Sequence, residues 1–257
     1  MLTLLSPAKT LDETPGNGLP TTQPLFQEDI KELLHRCRQL SADELKGLMR
    51  ISEPLAQLNH GRFQQMTLPF SAENAKACIL AFQGDVYKGL AADSLTKADL
   101  VYAQDHLRIL SGFYGMLRPL DLMQPYRLEM GTKLDTVRGS NLYQFWGDRL
   151  VDRLNAEHAE RPVSAILNLA SNEYFKSIPT DKLQPRLVAA SFQEIREGKP
   201  KTIAFYAKKA RGMLARFQVQ NRIEEPKDLR VFSDEGYRFN DSLSTEDHLV
   251  FTREKAA

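Results

Sequence analysis

Short apolar runs that stop abruptly at polar blocks set the strongest limit on how this chain can fold. Val163-Ser-Ala-Ile-Leu-Asn-Leu-Ala170 is apolar and partly β-branched, and it ends in Ser171-Asn172-Glu173. Leu2–Leu5 breaks in the same way into Ser6-Pro7-Ala8-Lys9-Thr10. Apolar runs of this length without polar alternation predict strands buried on both faces. A buried strand that runs into a polar loop and then a helix forms the edge where α/β proteins build sites. Further strands are expected at Cys78–Phe82, Leu187–Phe192, Thr202–Tyr206, Val231–Ser233, Tyr237–Phe239 and Leu249–Thr252, with turns at Gly84–Tyr87, Glu235-Gly236 and Asp241-Ser242. Helical spacing covers Ile30–Leu40, Ser71–Ala77, Thr96–Ile109, Ala207–Asn221 and, after an opening turn, Gly139–Leu154. Leu107–Leu110 fits either a helix or extended chain. Pro15, Gly16, Gly18, Pro20 and Pro24 make 11–24 an irregular surface segment. The N-terminal half is helix-rich and the C-terminal half alternates strand and helix. That pattern predicts a mixed α/β (α+β) fold over 1–257, a single compact domain with a central sheet and surrounding helices. No Pro/Gly/Ser-rich linker divides it.

Charge and composition narrow the function classes. The formal net charge is +1, so a nucleic-acid binder with this sequence must gather its cations on one face. Met-Leu-Thr-Leu-Leu lacks the basic region and cleavage site of a signal peptide, and no run approaches the roughly 20 apolar residues of a membrane span. No membrane partner is expected. Cys37 and Cys78 lie inside apolar patterns and read as buried free thiols, which suits a reducing cytoplasm. The histidines are scattered and no zinc-type cluster occurs, so neither a metal nor a cofactor is expected.

Residues 41–63 carry the most specific local signal. Ser41 caps a first helix with Glu44 three residues on, and Ser52 and Pro54 open a second. Leu45, Leu48 and Met49 give the first an apolar face; Leu55, Ala56, Leu58 and Phe63 give one to the second. Two short helices joined by a tight turn resemble the helix-hairpin-helix of DNA repair proteins, whose core runs Leu-Pro-Gly-Ile-Gly-x-x-x-Ala. Leu48, Ile51 and Ala56 match its apolar positions, and Arg50 and Ser52 stand at its glycines. Free N–H groups at a helix start bind phosphate oxygens without reading bases. Arg50, the Ser52 hydroxyl, Lys46 and Arg62 would add direct contacts. The competing reading is an ordinary core-packing corner.

Four polar blocks complete the candidate site: Ser6–Thr10, Ser111–Glu129, Asn168–Lys176 and Phe205–Arg211. If their strands are neighbours, they meet at one sheet edge. They would then bring together Lys9, Arg118, Arg127, Lys176, Lys208, Lys209 and Arg211, interleaved with Tyr114, Tyr126, Tyr174 and Tyr206. Cations with aromatic rings between them suit phosphates and stacked bases. Arg118 with Asp121, and Arg127 with Glu129, can equally form structural pairs. Helical spacing predicts that Ala210, Met213, Leu214 and Phe217 form an apolar stripe, with Lys208, Lys209, Arg211 and Arg216 facing solvent opposite it. An enzyme in the same cleft would draw on Lys9, Asp121, Glu129, Asn168 and Glu173. However, no P-loop, G-x-G-x-x-G, G-x-S-x-G or H-E-x-x-H motif commits it to a reaction.

These blocks resemble one known family. Ser6–Thr10, Leu48–Ser52, Leu110–Gly115, Leu117–Gly131, Tyr143–Asp148, Asn168–Tyr174 and Phe205–Gly212 are similar, in order and across essentially the whole chain, to the bacterial YaaA peroxide-stress proteins. The resemblance implies a cytoplasmic protein that limits intracellular iron and oxidative DNA damage under hydrogen peroxide. It also implies an α/β domain with a helix-hairpin-helix and a basic cleft that binds DNA. DNA binding is expected to be structure-selective rather than sequence-specific, by a monomer. A ferritin-like store would need Glu-x-x-His on facing helices, and no such store is expected.

Overall fold

The computed structural model describes residues 1–14 and 18–254. Pro15 and Gly16 of the expected irregular segment lie outside the described residues. The leading apolar run is β1 (Leu2–Leu5), buried at every position, and β2 (Thr10–Leu11) follows its polar loop. Three helices come next: α1 (Gln27–Arg38), α2 (Ala42–Met49) and α3 (Glu53–Gln65).

The segment after α3 departs from expectation. Ser71 opens only a turn before β3 (Lys76–Ala77). Cys78–Phe82 is not a strand: it forms the single-turn helix α4 (Cys78–Ala81), and Phe82 begins β4 (Phe82–Gln83). An unbroken apolar run has no period to choose between buried helix and strand. Here the Cys78 and Ile79 N–H groups donate to the Asp121 and Pro119 carbonyls, which settles it. Helix α5 (Asp85–Leu90) replaces the expected turn. Helix α6 (Lys97–His106) starts at a Thr96–Asp99 capping box and runs directly into β5 (Leu107–Ser111), so 107–110 is extended.

A turn at 112–114 leads to β6 (Gly115–Leu117), then β7 (Leu122–Met123). The single helix expected at 139–154 is two, α7 (Leu142–Trp146) and α8 (Arg149–Glu160), broken at Gly147 with φ +50°. The C-terminal half supplies β8 (Ile166–Asn168), α9 (Asn172–Phe175), β9 (Leu187–Arg196), β10 (Lys199–Lys201), α10 (Ala204–Asn221), β11 (Arg238–Phe239) and β12 (His248–Glu254). Helix α10 takes over 204–206 of the strand predicted at 202–206, and 202–203 lie in neither strand nor helix. Val231 ends a 3₁₀ helix rather than forming a strand.

Among the described residues, eight strands form one sheet in the order β11-β12-β9-β8-β1-β5-β6, with β10 on β9. Its centre is parallel: Thr3 of β1 lies opposite Leu107 of β5 and Leu167 of β8. Burial on both faces explains why β1 and β8 read as continuous apolar runs. The chain leaves β1 toward β5 and leaves β8 toward β9 on the other side, so a crevice opens between their carboxyl ends.

Helix α10 crosses α5 in backbone contact. A Cβ on Gly212 would lie 1.8 Å from the Val86 carbonyl oxygen, and one on Gly89 would lie 2.0 Å from that of Lys209. This contact fixes the first turns of α10 over the crevice.

Candidate functional site

The crevice is a cleft of about 670 Å³ between the loop after β1, the loop after β8, the start of α5 and the first half of α10. Ser6 and Ser171 join its two loops: the Ser171 N–H donates to Ser6 Oγ at 2.8 Å, and the two hydroxyls lie 3.3 Å apart. The Tyr87 hydroxyl donates to the Ser6 carbonyl at 3.0 Å, and burial pushes that phenol's pKa well up, keeping it a neutral donor. Asn168 Oδ1 accepts the Ala170 N–H at 2.9 Å, which turns the chain at the end of β8. Asn168 therefore shapes the loop.

Three cations line the cleft: Lys9, Lys208 and Arg211, against the carboxylates Asp85 and Glu173. Lys9 already holds Glu129 at 2.8 Å, and Glu129 also accepts Arg127 at 3.0 Å. Lys208 is exposed, and Arg211 lies one helical turn further on, half-buried. Among the described residues no carboxylate or carbonyl partners the Arg211 guanidinium, and burial pulls its pKa down. An unpaired, partly desolvated cation facing a cleft favours an incoming anion.

The helix corner adjoins this cleft. The Ser41–Glu44 capping box is formed, and Arg50 closes α2 in the left-handed region at φ 52°, ψ 51°. That backbone conformation is the one for which glycine is usual. Ser52 is extended, and its hydroxyl makes no capping bond. Arg50 is exposed with no partner among the described residues. A hollow of about 540 Å³ separates Gly47–Arg50 from Glu129–Lys133. Glu173 lines both spaces and accepts the Gly131 N–H at 3.1 Å.

Lys46 and Arg62 are engaged, with Glu53 at 2.9 Å and with Glu13 respectively. The inner face of α3 is Ala56, Asn59 and Phe63. Leu55 and Leu58, expected inside, are 37% and 46% exposed because they sit on the outer side of the corner.

Other expected members lie elsewhere. Strand β6 runs antiparallel to β5 and returns Arg118 and Asp121 to the opposite sheet edge, where Arg118 shares a hollow with Arg108. Asp121 is fully buried and accepts the Thr22 hydroxyl and the Arg118 guanidinium at 2.8 Å, a structural pair. Lys209 pairs with Glu235. Arg216 donates to the Leu90 and Ala91 carbonyls at 3.0 and 2.9 Å and closes α5, so it does not face solvent. Of the predicted polar side of α10 only Lys208 is fully exposed; Lys209, Arg211 and Arg216 are half-buried because the helix is packed against α5, α6 and β9. Lys176 is exposed, 5.4 Å over the Tyr143 ring.

Tyr114, Tyr126 and Tyr174 are buried and cannot stack bases. The first two pack edge to face at 5.0 Å, and the Tyr126 and Ser111 hydroxyls lie 2.6 Å apart. Tyr206 lies under the Arg253 guanidinium at 4.6 Å. Sequence reasoning missed Phe205, 53% exposed one turn before Lys208. It fell within an apparent strand, where no pattern marks a ring as outward. The chain does hold one Glu-x-x-His, Glu32 to His35 on α1, but Glu32 pairs with Arg138 and the His35 ring meets Gln39 at 3.0 Å.

Among the described residues no helix is long and apolar enough to cross a membrane. A family model described as peroxide stress protein YaaA matches residues 1–243. Two UPF0246 proteins of Aliivibrio fischeri, from strains MJ11 and ES114, are each 50% identical over 256 residues, spanning 99% of this chain and 99% of their own. The chain therefore belongs to the YaaA family of peroxide stress proteins.

Proposed function

We propose that this protein binds DNA in the cytoplasm during hydrogen peroxide stress and shields it from iron-driven damage. The half-buried, unpaired Arg211 in the crevice between β1 and β8 carries the reading. Arg211 and Lys208 hold phosphate in the cleft. Arg50, together with the free N–H groups that open α3, holds a second phosphate at the corner, which acts as a helix-hairpin-helix. Lys9 and Lys46 join by exchanging Glu129 and Glu53 for phosphate; both lysines are exposed, and the Lys46–Glu53 pair, open to solvent at both ends, is weak. Such contacts ignore base identity.

Neutralising phosphates expels the cations condensed on them. Ferrous iron held at the backbone is thereby displaced from the place where hydroxyl radicals cut. Limitation of free intracellular iron is part of the same proposed role.

The test is a gel-shift titration with the monomeric protein across salt concentrations. Affinity should fall steeply with salt, and Arg50→Glu combined with Lys208→Glu should flatten the slope by about 2. Unchanged affinity in the double variant rejects the assignment. A second reading is an enzyme acting on a nucleotide, favoured by the cleft's position at the point where the chain's course reverses. Of its candidates, Lys9 and Glu173 line the cleft, whereas Asp121 is buried at the far edge. Turnover of nucleotides that Glu173→Gln abolishes would support it.

A further inference from the structure

Resting on the DNA-binding reading, the geometry points to a more particular occupant of the cleft. We propose that it takes one nucleotide turned out of the DNA stack. Its phosphate lies on Lys208 and Arg211, its base is inside the cleft, and a neighbouring unpaired base rests on Phe205.

Three observations carry this. The first is depth. Lys208 is exposed and Arg211 half-buried on the same cleft wall, so a phosphate that reaches Arg211 has left the duplex surface. A cleft of about 670 Å³ matches the size of small-ligand pockets and is far too small for a double helix.

The second is the chemistry of the walls. Pro7, Ala8 and Val86 supply apolar surface, and the side-chain amides of Gln83 and Asn172 stand at the rim. Neither amide has a hydrogen-bond partner among the described residues, and both are exposed. Each offers a donor and an acceptor, which is what the edge of an unpaired base requires.

The third is the track that leads in. Lys199 and Lys201 on β10 are exposed and have no ion-pair partner among the described residues. Phe205, 53% exposed, follows them, then Lys208, then Arg211. In chain order one exposed ring thus stands between two pairs of cations, and the last pair, one turn apart on α10, lines the cleft. Single strands bind such rows, with phosphates on the charges and a base on the ring. A paired base keeps both faces in its own stack and gains nothing from Phe205.

The experiment compares, with the full-length chain, two duplexes that share one strand carrying 2-aminopurine, the other strand either pairing it with thymine or lacking that thymine. The bulged duplex should bind about tenfold more tightly, the scale of one base stacked on an aromatic side chain. The bound 2-aminopurine should lose most of its quenching by acrylamide, because the cleft encloses it. Phe205→Ala and Asn172→Ala, both at exposed positions, should each move the affinity ratio toward one. Equal affinity for the two duplexes, with the fluorophore still open to acrylamide, overturns the extruded nucleotide while leaving DNA binding intact. Absence of binding to either duplex overturns both.

Discussion

Replacing Arg211 by methionine keeps an unbranched aliphatic stem on the cleft wall and removes the guanidinium. In the folded protein that group is half-buried, has no counter-ion among the described residues, and has its pKa pulled down by burial alone. An unsatisfied buried polar group costs about 1–3 kcal/mol, and a charged one more. Partial exposure brings the figure here to about 1–2 kcal/mol. Methionine should therefore stabilise the fold, raising the melting temperature by about 2–4 °C for each kcal/mol in a chain of this size. The same change removes a charge-assisted hydrogen bond to phosphate, about 1.5–3 kcal/mol, so DNA affinity should fall about 10- to 150-fold. Calorimetry and a salt-resolved gel shift on the same preparation read both quantities. Stability gained with affinity lost is the signature of a group retained for binding. A lower melting temperature would mean that the guanidinium supports the fold, and the anion-site argument would collapse.

Three further outcomes follow from the geometry. Ser41→Ala should cost about 1 kcal/mol in urea denaturation, because it breaks a formed capping box, whereas Ser52→Ala should cost under about 0.5 kcal/mol, since its hydroxyl caps nothing; equal losses would refute the distinction. Gly212→Ala puts a methyl 1.8 Å from the Val86 carbonyl oxygen and should destabilise by about 3 kcal/mol while loosening the cleft; an unshifted melting curve contradicts the close helix contact. The Lys76 ammonium at 2.8 Å and the Thr14 N–H hold the Asp12 carboxyl at about 2, below its unfolded value near 3.9. Its stabilising effect is thus present above about pH 4 and is lost as pH falls toward 2, so Asp12→Asn should flatten acid denaturation in that window. Parallel profiles for wild type and variant would exclude the pair as the cause.

Local signals in the sequence transferred faithfully where the physics is local. The Ser41–Glu44 box forms because both partners lie within one turn. Arg50, at a position where the resembling pattern has glycine, takes a left-handed backbone, φ 52°. Leu2–Leu5 and Ile166–Asn168 are central strands because a segment buried on both faces has no polar period to show. The loops after them meet because parallel neighbours end at one edge.

Where a property depended on partners remote in the chain, sequence spacing could not reach it. Cys78–Ala81 became helix and 204–206 joined α10 through hydrogen bonds and packing supplied by distant segments. Reversal at the β5–β6 turn, absent from any count of residues, carried Arg118 and Asp121 to the wrong edge for the cleft.

Residue order settled which segments are strand or helix wherever neighbours within a turn or two carry the free energy, and it marked the blocks from which a site could be built. Which cations stay without a counter-ion emerged from three-dimensional packing. A carboxylate 49 or 109 positions away neutralises Arg62 or Arg138 and leaves Arg211 bare, because Coulomb attraction and burial follow distance in space and not along the chain.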